Sequence, residues 1–205
     1  MNIGIVCYPT FGGSGVVATE LGKILASEGH MVHFISYDQP ARLDYFSQNL
    51  FYHEVTVSTY PLFQYPPYEL ALTGKIVEVV QSAKLDVLHV HYAIPHAAAA
   101  IMAKKILKDI NGIRIPVITT LHGTDITLVG KDPNYEGVVS YSLNQSDAVT
   151  AVSSSLRDDT YKFFKINKPI EVIPNFIYLS KYNRQTNHSY INGFASPDEF
   201  VLMHT

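Results

Sequence analysis

Cysteine is nearly absent from this chain: Cys7 is the single one in 205 residues. No intrachain disulfide can form, which points to a reducing, cytosolic setting. Charge is sparse as well, at 16% of residues, with 15 Lys and Arg against 18 Asp and Glu and a formal net charge of -3. A nucleic-acid partner needs a basic face, so none is expected. No block of like charges suggests an interaction tail. No apolar run approaches the roughly 20 residues that span a bilayer. The opening "MNIGIVCY" also lacks the basic start and long apolar stretch of a signal peptide. The expectation is a cytoplasmic protein without membrane insertion.

What is present is enough apolar material for a sizeable core, 47% of the chain, in one domain or one domain and the start of another. Strand-length apolar runs alternate with helical patterns. "NIGIVCY", "MVHFISY", "LFYHEVTV", "LDVLHVH", "IPVITTLHG", "DAVTAVS" and "IEVIP" read as strands. Between them, Val17, Leu21, Ile24 and Leu25 recur at helical spacing, and helices are also expected in "YELALTGKIVEVVQSA", "HAAAAIMAKKILKDI", "NYEGVVSYSLNQS" and "SSLRDDTYKFFK". This alternation predicts an α/β fold: a Rossmann-like, mainly parallel sheet of about six or seven strands with helices on both faces. Strands that are apolar nearly throughout fit burial on both faces. Residues 1–177 then form one domain, the polar stretch 178–196 a linker, and 197–205 the first strand of a second domain.

In such sheets ligands gather beyond the carboxyl ends of the strands. Three segments leave those ends: the glycine loop "YPTFGGSGVVA", "HYAIPHA" and "LHGTD". Gly13, Gly15 and Ala18 fit the spacing G-x-G-x-x-A, with Asp38 downstream, as in a dinucleotide fingerprint. Pro9, Thr10 and Phe11 argue against that reading, because the dinucleotide turn follows its strand almost at once. His89, His91, His96, His122 and Asp125 could be read as a metal set, but none of the firm zinc spacings is present and no metal is expected. In "TTLHGTD", Gly123 permits a sharp turn after His122, and Thr124 and Asp125 can bond the next turn. That arrangement serves equally as a capped strand-to-helix turn or as part of a crevice shared with Tyr92. No G-x-S-x-G elbow supports nucleophilic hydrolysis.

"GGSG" after the first strand, "HVHYAIPHA", "TTLHGTDIT", "SDAVTAVSSSL" and "VIPNF" resemble, in order, the acceptor-side half of family-4 retaining glycosyltransferases of GT-B fold. Longer stretches, "CYPTFGGSGVVATELG", "YPPYELAL" and "HGTDITLVGKDP", resemble the branch that joins N-acetylglucosamine from UDP-N-acetylglucosamine to the hydroxyl of L-malate in bacillithiol biosynthesis. The resemblance implies that amides of Gly12, Gly13, Ser14 and Gly15 face the donor diphosphate and the acceptor carboxylate. It implies that His122 faces the transferred sugar. It further implies that no protein nucleophile, metal or cofactor takes part, the leaving phosphate itself helping to deprotonate the acceptor. Tyr92 and Thr120 are candidates for malate contacts, and Asp125 and Asn175 complete the expected substrate-binding set. A basic residue is expected in the helix before "SDAVTAVS" to hold a carboxylate, yet Ser140 and Tyr141 stand there; Tyr178 likewise replaces an acidic residue. Homo-oligomerisation is left open. A dinucleotide-binding oxidoreductase domain, a noncatalytic binding module and a transferase with a lipid acceptor, suggested by Tyr60, Phe63, Tyr65 and Tyr68, are the rival readings. That aromatic loop is expected to pack against its own domain.

Overall fold

The computed structural model describes residues 1–43, 48–58, 61–128 and 132–177. The fold lies in the first of two units, residues 1–175, and the linker and strand expected over 178–205 lie outside the described residues. Its elements are β1 (Asn2–Val6), α1 (Gly13–Ser27), β2 (Met31–Ser36), β3 (Leu50–Glu54), α2 (Tyr68–Ser82) and β4 (Val87–His91). After a π-helical turn (Ala93–Ala97) come α3 (Ala98–Asn111), β5 (Val117–Leu121), α4 (Thr124–Thr127) and α5 (Pro133–Gln145). The unit closes with β6 (Ala148–Ala151), α6 (Ser154–Phe163) and β7 (Ile170–Val172).

Among the described residues, seven strands pair in parallel, in the order β3-β2-β1-β4-β5-β6-β7. The order reverses between β1 and β4, and a crevice opens at such a switch point beyond the carboxyl ends of the strands. Alternation along β1 shows why both faces are covered. Ile3, Ile5 and Cys7 pack with Ala18 and Ala26 of α1, whereas Val6 points into the opposite cluster with Leu72, Ile76 and Leu107 of α2 and α3. Each large aliphatic side chain removed from water here contributes about 1.5–3 kcal/mol. Local signals fix the helix ends. The Asp132 carboxylate accepts from Asn134 N at 2.9 Å with Pro133 at the first helical position, and Ser153 Oγ accepts from Leu156 N at 3.1 Å.

The buried face of α1 differs from its apolar pattern. Val17, Leu21, Ile24 and Leu25 are only partly buried, while Gly15, Ala18, Thr19, Gly22 and Ala26 are buried. The reason is proximity: a Cβ on Gly22 would lie 2.3 Å from Phe34 Cζ. A small-residue stripe lets the helix approach β2 closely, and Phe34 fills the groove that larger residues would occupy. The aromatic loop also departs from expectation. Leu62, Phe63 and Tyr65 are exposed, whereas Tyr68, at the start of α2, packs against the core. Tyr60 is outside the described residues.

Gly22→Ala should destabilise the protein by about 1–3 kcal/mol through overpacking against Phe34. Chemical denaturation should show this cost shrinking when Phe34→Leu is combined with it. Strict additivity of the two changes would mean that the contact is not the cause.

Candidate active site

β1, β4 and β5 each deliver a short loop to the switch point. The loop after β1 carries Tyr8, Thr10 and the glycines, and α1 begins at Gly13. Gly12 occupies the N-cap without a side-chain cap, and no acidic residue stands in the first turn. The first amides of a 15-residue helix therefore meet the cleft with their partial positive charge. The glycines do different jobs. Around Gly13 there is open space, whereas a Cβ on Gly15 would lie 2.4 Å from Thr10 O and 2.7 Å from Tyr8 O. Gly13 leaves room for a ligand; Gly15 lets the loop fold back on its own helix.

β4 ends in His91, and the chain turns at Tyr92 with φ of +88°. A tyrosine at positive φ is strained, and such strain persists only where the surroundings hold it. Here the Tyr92 ring stacks on His122 at 5.7 Å and meets Tyr8 edge-on at 5.2 Å. Its hydroxyl shares a 2.6 Å hydrogen bond with Thr124 Oγ1. β5 supplies His122 and the turn at Gly123, whose φ is +130°. Asp125, fully buried, ties the two loops together. Its Oδ2 accepts from Ala93 N at 3.0 Å, and its Oδ1 accepts from Gly123 N at 2.9 Å and His122 N at 3.3 Å. Burial pushes this carboxyl up, and the three amides oppose that shift by stabilising the anion.

Two adjoining compartments result, sharing Tyr8, Tyr37 and Tyr92. The polar one, about 450 Å³, is lined also by Thr10, Gly12, Gly13, Ser14, His122, Thr124 and Asn175. The second, about 480 Å³, is aromatic and apolar, with Tyr68, Ile94, Pro95, Ala98, Tyr135 and Val138 beside Glu69 and Asp125. Among the described residues, no lysine or arginine lines either compartment. α5 presents Tyr135 and Val138 to the second compartment, and neither Ser140 nor Tyr141, where a basic residue was expected, lines either one.

Gly12, Gly13, Ser14, Tyr92, His122 and Asn175 are thus brought together around one cavity. Thr120 is not among them. Its hydroxyl lies below, sharing hydrogen bonds of 2.7 Å with both His89 Nε2 and Thr150 Oγ1. Asp125 borders the second compartment, and its carboxylate is engaged by backbone amides. Tyr8, Thr10 and Tyr37 line the polar compartment without having been proposed for it, and Thr124, expected to bond the next turn, lines it as well. The strand-end rule applied to β1 and β2 as strictly as to β4 and β5 would have found Tyr8 and Tyr37.

The histidines under the cleft are neutral. Burial holds His89, His96 and His122 down to about 4 and pushes His91 well below the ordinary imidazole range, with repulsion from His89, His122 and His96 adding to the shift at His91. No group of three or more His, Cys, Asp or Glu among the described residues is arranged to hold a metal ion. Asp38 is exposed, caps Gln39 N at 2.7 Å and lines neither compartment. The dinucleotide reading therefore lacks its acidic residue at the crevice.

The family model of Glycosyltransferase Family 4 matches residues 11–181. The chain belongs to glycosyltransferase family 4. It is 49% identical over 208 residues to the N-acetyl-alpha-D-glucosaminyl L-malate synthase of Bacillus anthracis, an alignment covering all of this chain and 53% of that protein. Among solved structures, Anabaena HepE in complex with UDP-glucose is similar with a TM-score of 0.69 at 14% identity, covering 94% of this chain and 50% of that one. Sucrose-phosphate synthase from Thermosynechococcus elongatus is similar with a TM-score of 0.65 at 15% identity, covering 93% and 52%. These two likenesses establish the GT-B type of Rossmann-like fold. The chain spans about half the length of the relatives it matches.

The neutral histidine stack makes the family-4 domain acid-sensitive. An unfolded histidine titrates near 6.5, whereas the folded values for His89, His96 and His122 are about 4. Between these limits the unfolded chain binds more protons, so stability present above pH 6.5 is lost as pH falls toward 4. The melting temperature should drop steadily between about pH 7 and pH 5, and His96→Asn should flatten part of that slope. A melting temperature independent of pH across this window would show that the rings titrate normally.

Proposed function

We propose that this domain is the acceptor-side half of a retaining glycosyltransferase that moves N-acetylglucosamine from UDP-N-acetylglucosamine to the hydroxyl of L-malate. The observation that carries the proposal is the 49% identity to the malate synthase along the whole chain. The cleft's chemistry is compatible with it. Free amides at Gly12, Gly13 and Ser14 bind a diphosphate or carboxylate oxygen, the helix dipole supplying partial charge in place of a cation. His122, neutral and beside them, hydrogen-bonds the sugar as charge develops during transfer. Tyr92 and Asn175 add neutral polar contacts. Thr120 acts from beneath, through His89, and Asp125 acts by fixing the loops, while Gly15 acts by allowing the loop's close turn.

In this reading the anomeric carbon–phosphate oxygen bond breaks and the acceptor oxygen attaches on the same face. Its proton passes to the departing phosphate, so the reaction balances without a protein nucleophile. Charge neutralisation of UDP and malate calls for cations, and among the described residues no lysine or arginine lines this cleft. We assign them to a second, donor-binding domain, consistent with a chain about half as long as its relatives, with residues 1–177 as the first domain, 178–196 as the linker and 197–205 as the first strand beyond it.

The test is UDP release by the whole protein with UDP-N-acetylglucosamine and L-malate, beside other hydroxy acids and a lipid acceptor. Malate should be the preferred acceptor. His122→Ala should lower turnover about a hundredfold, equivalent to about 3 kcal/mol of transition-state stabilisation, with little change in melting temperature. Near-normal turnover in that variant would return the motif to a capping turn. Preference for a lipid acceptor would replace the malate assignment.

A further inference from the structure

Behind His122 lies a second imidazole that the sugar-transfer reading does not use. His91 is 1% exposed, and its Nδ1 lies 2.8 Å from His122 Nε2. The two rings are stacked at 5.1 Å with an interplanar angle of 27°, and the His89 ring lies 4.5 Å from that of His91. The His91 carbonyl is held by His96 Nδ1 at 2.7 Å, which fixes the end of β4 from which the His91 side chain projects. His91 Nε2 is buried and has no hydrogen-bond partner among the described residues.

Two neutral imidazoles that face each other nitrogen to nitrogen need one donor and one acceptor. If His122 Nε2 carried the proton, His91 Nδ1 would accept it, and His91 would have to hold its own proton on Nε2. That proton would be a buried N–H without an acceptor, a costly and rare state. The opposite assignment leaves only a bare ring nitrogen at Nε2. His91 then donates from Nδ1, His122 accepts at Nε2, and His122 carries its proton on Nδ1. That nitrogen has no hydrogen-bond partner among the described residues, and His122 lines the polar compartment.

We infer that His91 is a positioning residue that locks His122 in its Nδ1–H tautomer, so that the cleft is offered a hydrogen-bond donor and not an acceptor. The inference deepens the role of His122 and, for its kinetic consequence alone, rests on the glycosyl-transfer reading. A fixed donor suits an oxygen that gains negative charge, such as a sugar oxygen or a phosphate oxygen of the leaving group. It would oppose an occupant that presents a donor at that point. The lock also spares the reaction the cost of choosing a tautomer at each turnover, since the donor stands ready before substrate arrives.

The tautomer itself is measured by long-range proton–nitrogen correlation spectra of the whole protein labelled with nitrogen-15 at histidine, with His122 assigned by its loss in His122→Gln. His122 should show the Nδ1–H pattern in the unmodified protein. An Nε2–H pattern there overturns the inference, whatever the enzyme's activity. The variants separate positioning from packing. His91→Asn places an amide donor near the former Nδ1 and should keep both the His122 pattern and most of kcat. His91→Gln carries its amide near the Nε2 position, and His91→Leu carries none. Both should lose the pinned pattern and lower kcat on the order of tenfold to a hundredfold, with little change in KM. Equal losses in all three variants, or a loss confined to KM, would assign His91 to packing. If His122→Ala leaves transfer unaffected while the Nδ1–H pattern holds, the lock stands and the catalytic reading of His122 falls.

Discussion

The Asp125 carboxylate is the interaction on which the cleft depends. It is fully buried, and its two oxygens accept amides from both sides of the switch-point crevice: Ala93 after β4, and His122 and Gly123 after β5. Burying a carboxylate costs free energy unless charge-assisted hydrogen bonds stabilise it, and here the bonds come from the loops that need fixing. With those loops joined, Tyr92 is held at positive φ against His122, and its hydroxyl reaches Thr124. Loop position, aromatic stacking and the orientation of the histidine thus follow from one anionic group.

Among the described residues, the polar compartment built on that clamp carries no lysine or arginine on its walls. Its binding capacity for anions comes from oriented backbone amides at the start of α1 and from hydroxyl groups. Such donors need no reorganisation when a ligand arrives, because the helix and the small-residue contact with Phe34 already hold them in place. A side chain on Gly15 would meet backbone oxygens, and one on Gly22 would meet a core aromatic. The same helix is therefore fitted closely at its ligand end and at its sheet-facing side.

The histidines extend that logic beneath the surface. Burial keeps them uncharged, so each can act as either a donor or an acceptor, and neighbouring groups decide which. The chain His96–His91–His122 leads from within the π-helical turn to the cleft through one carbonyl and one ring contact. His89 begins a separate route through Thr120 to Thr150. Residues that resemble ligands in the sequence thus become supports for a ligand-facing residue.

Strand and helix order was legible in the sequence because parallel strands buried on both faces must be apolar along their length, and the intervening helices carry their own period. The glycine loop, Tyr92, His122 and Asn175 were legible too, since motif and strand-end position both mark them. The packing face of α1 was not, because the pattern of large apolar residues does not reveal how closely a helix can approach a sheet. Gly22 matters through Phe34, a residue on another element. Thr120 and Asp125 were visible as polar residues near strand ends, but their partners lie about thirty positions away on neighbouring loops and strands. By itself the sequence determined which elements form and which loops leave the carboxyl edge. Only the tertiary structure decided which polar groups face the cleft and which are already satisfied beneath it, because a hydrogen bond joins side chains by distance in space, and residues far apart in the chain leave no local period to read.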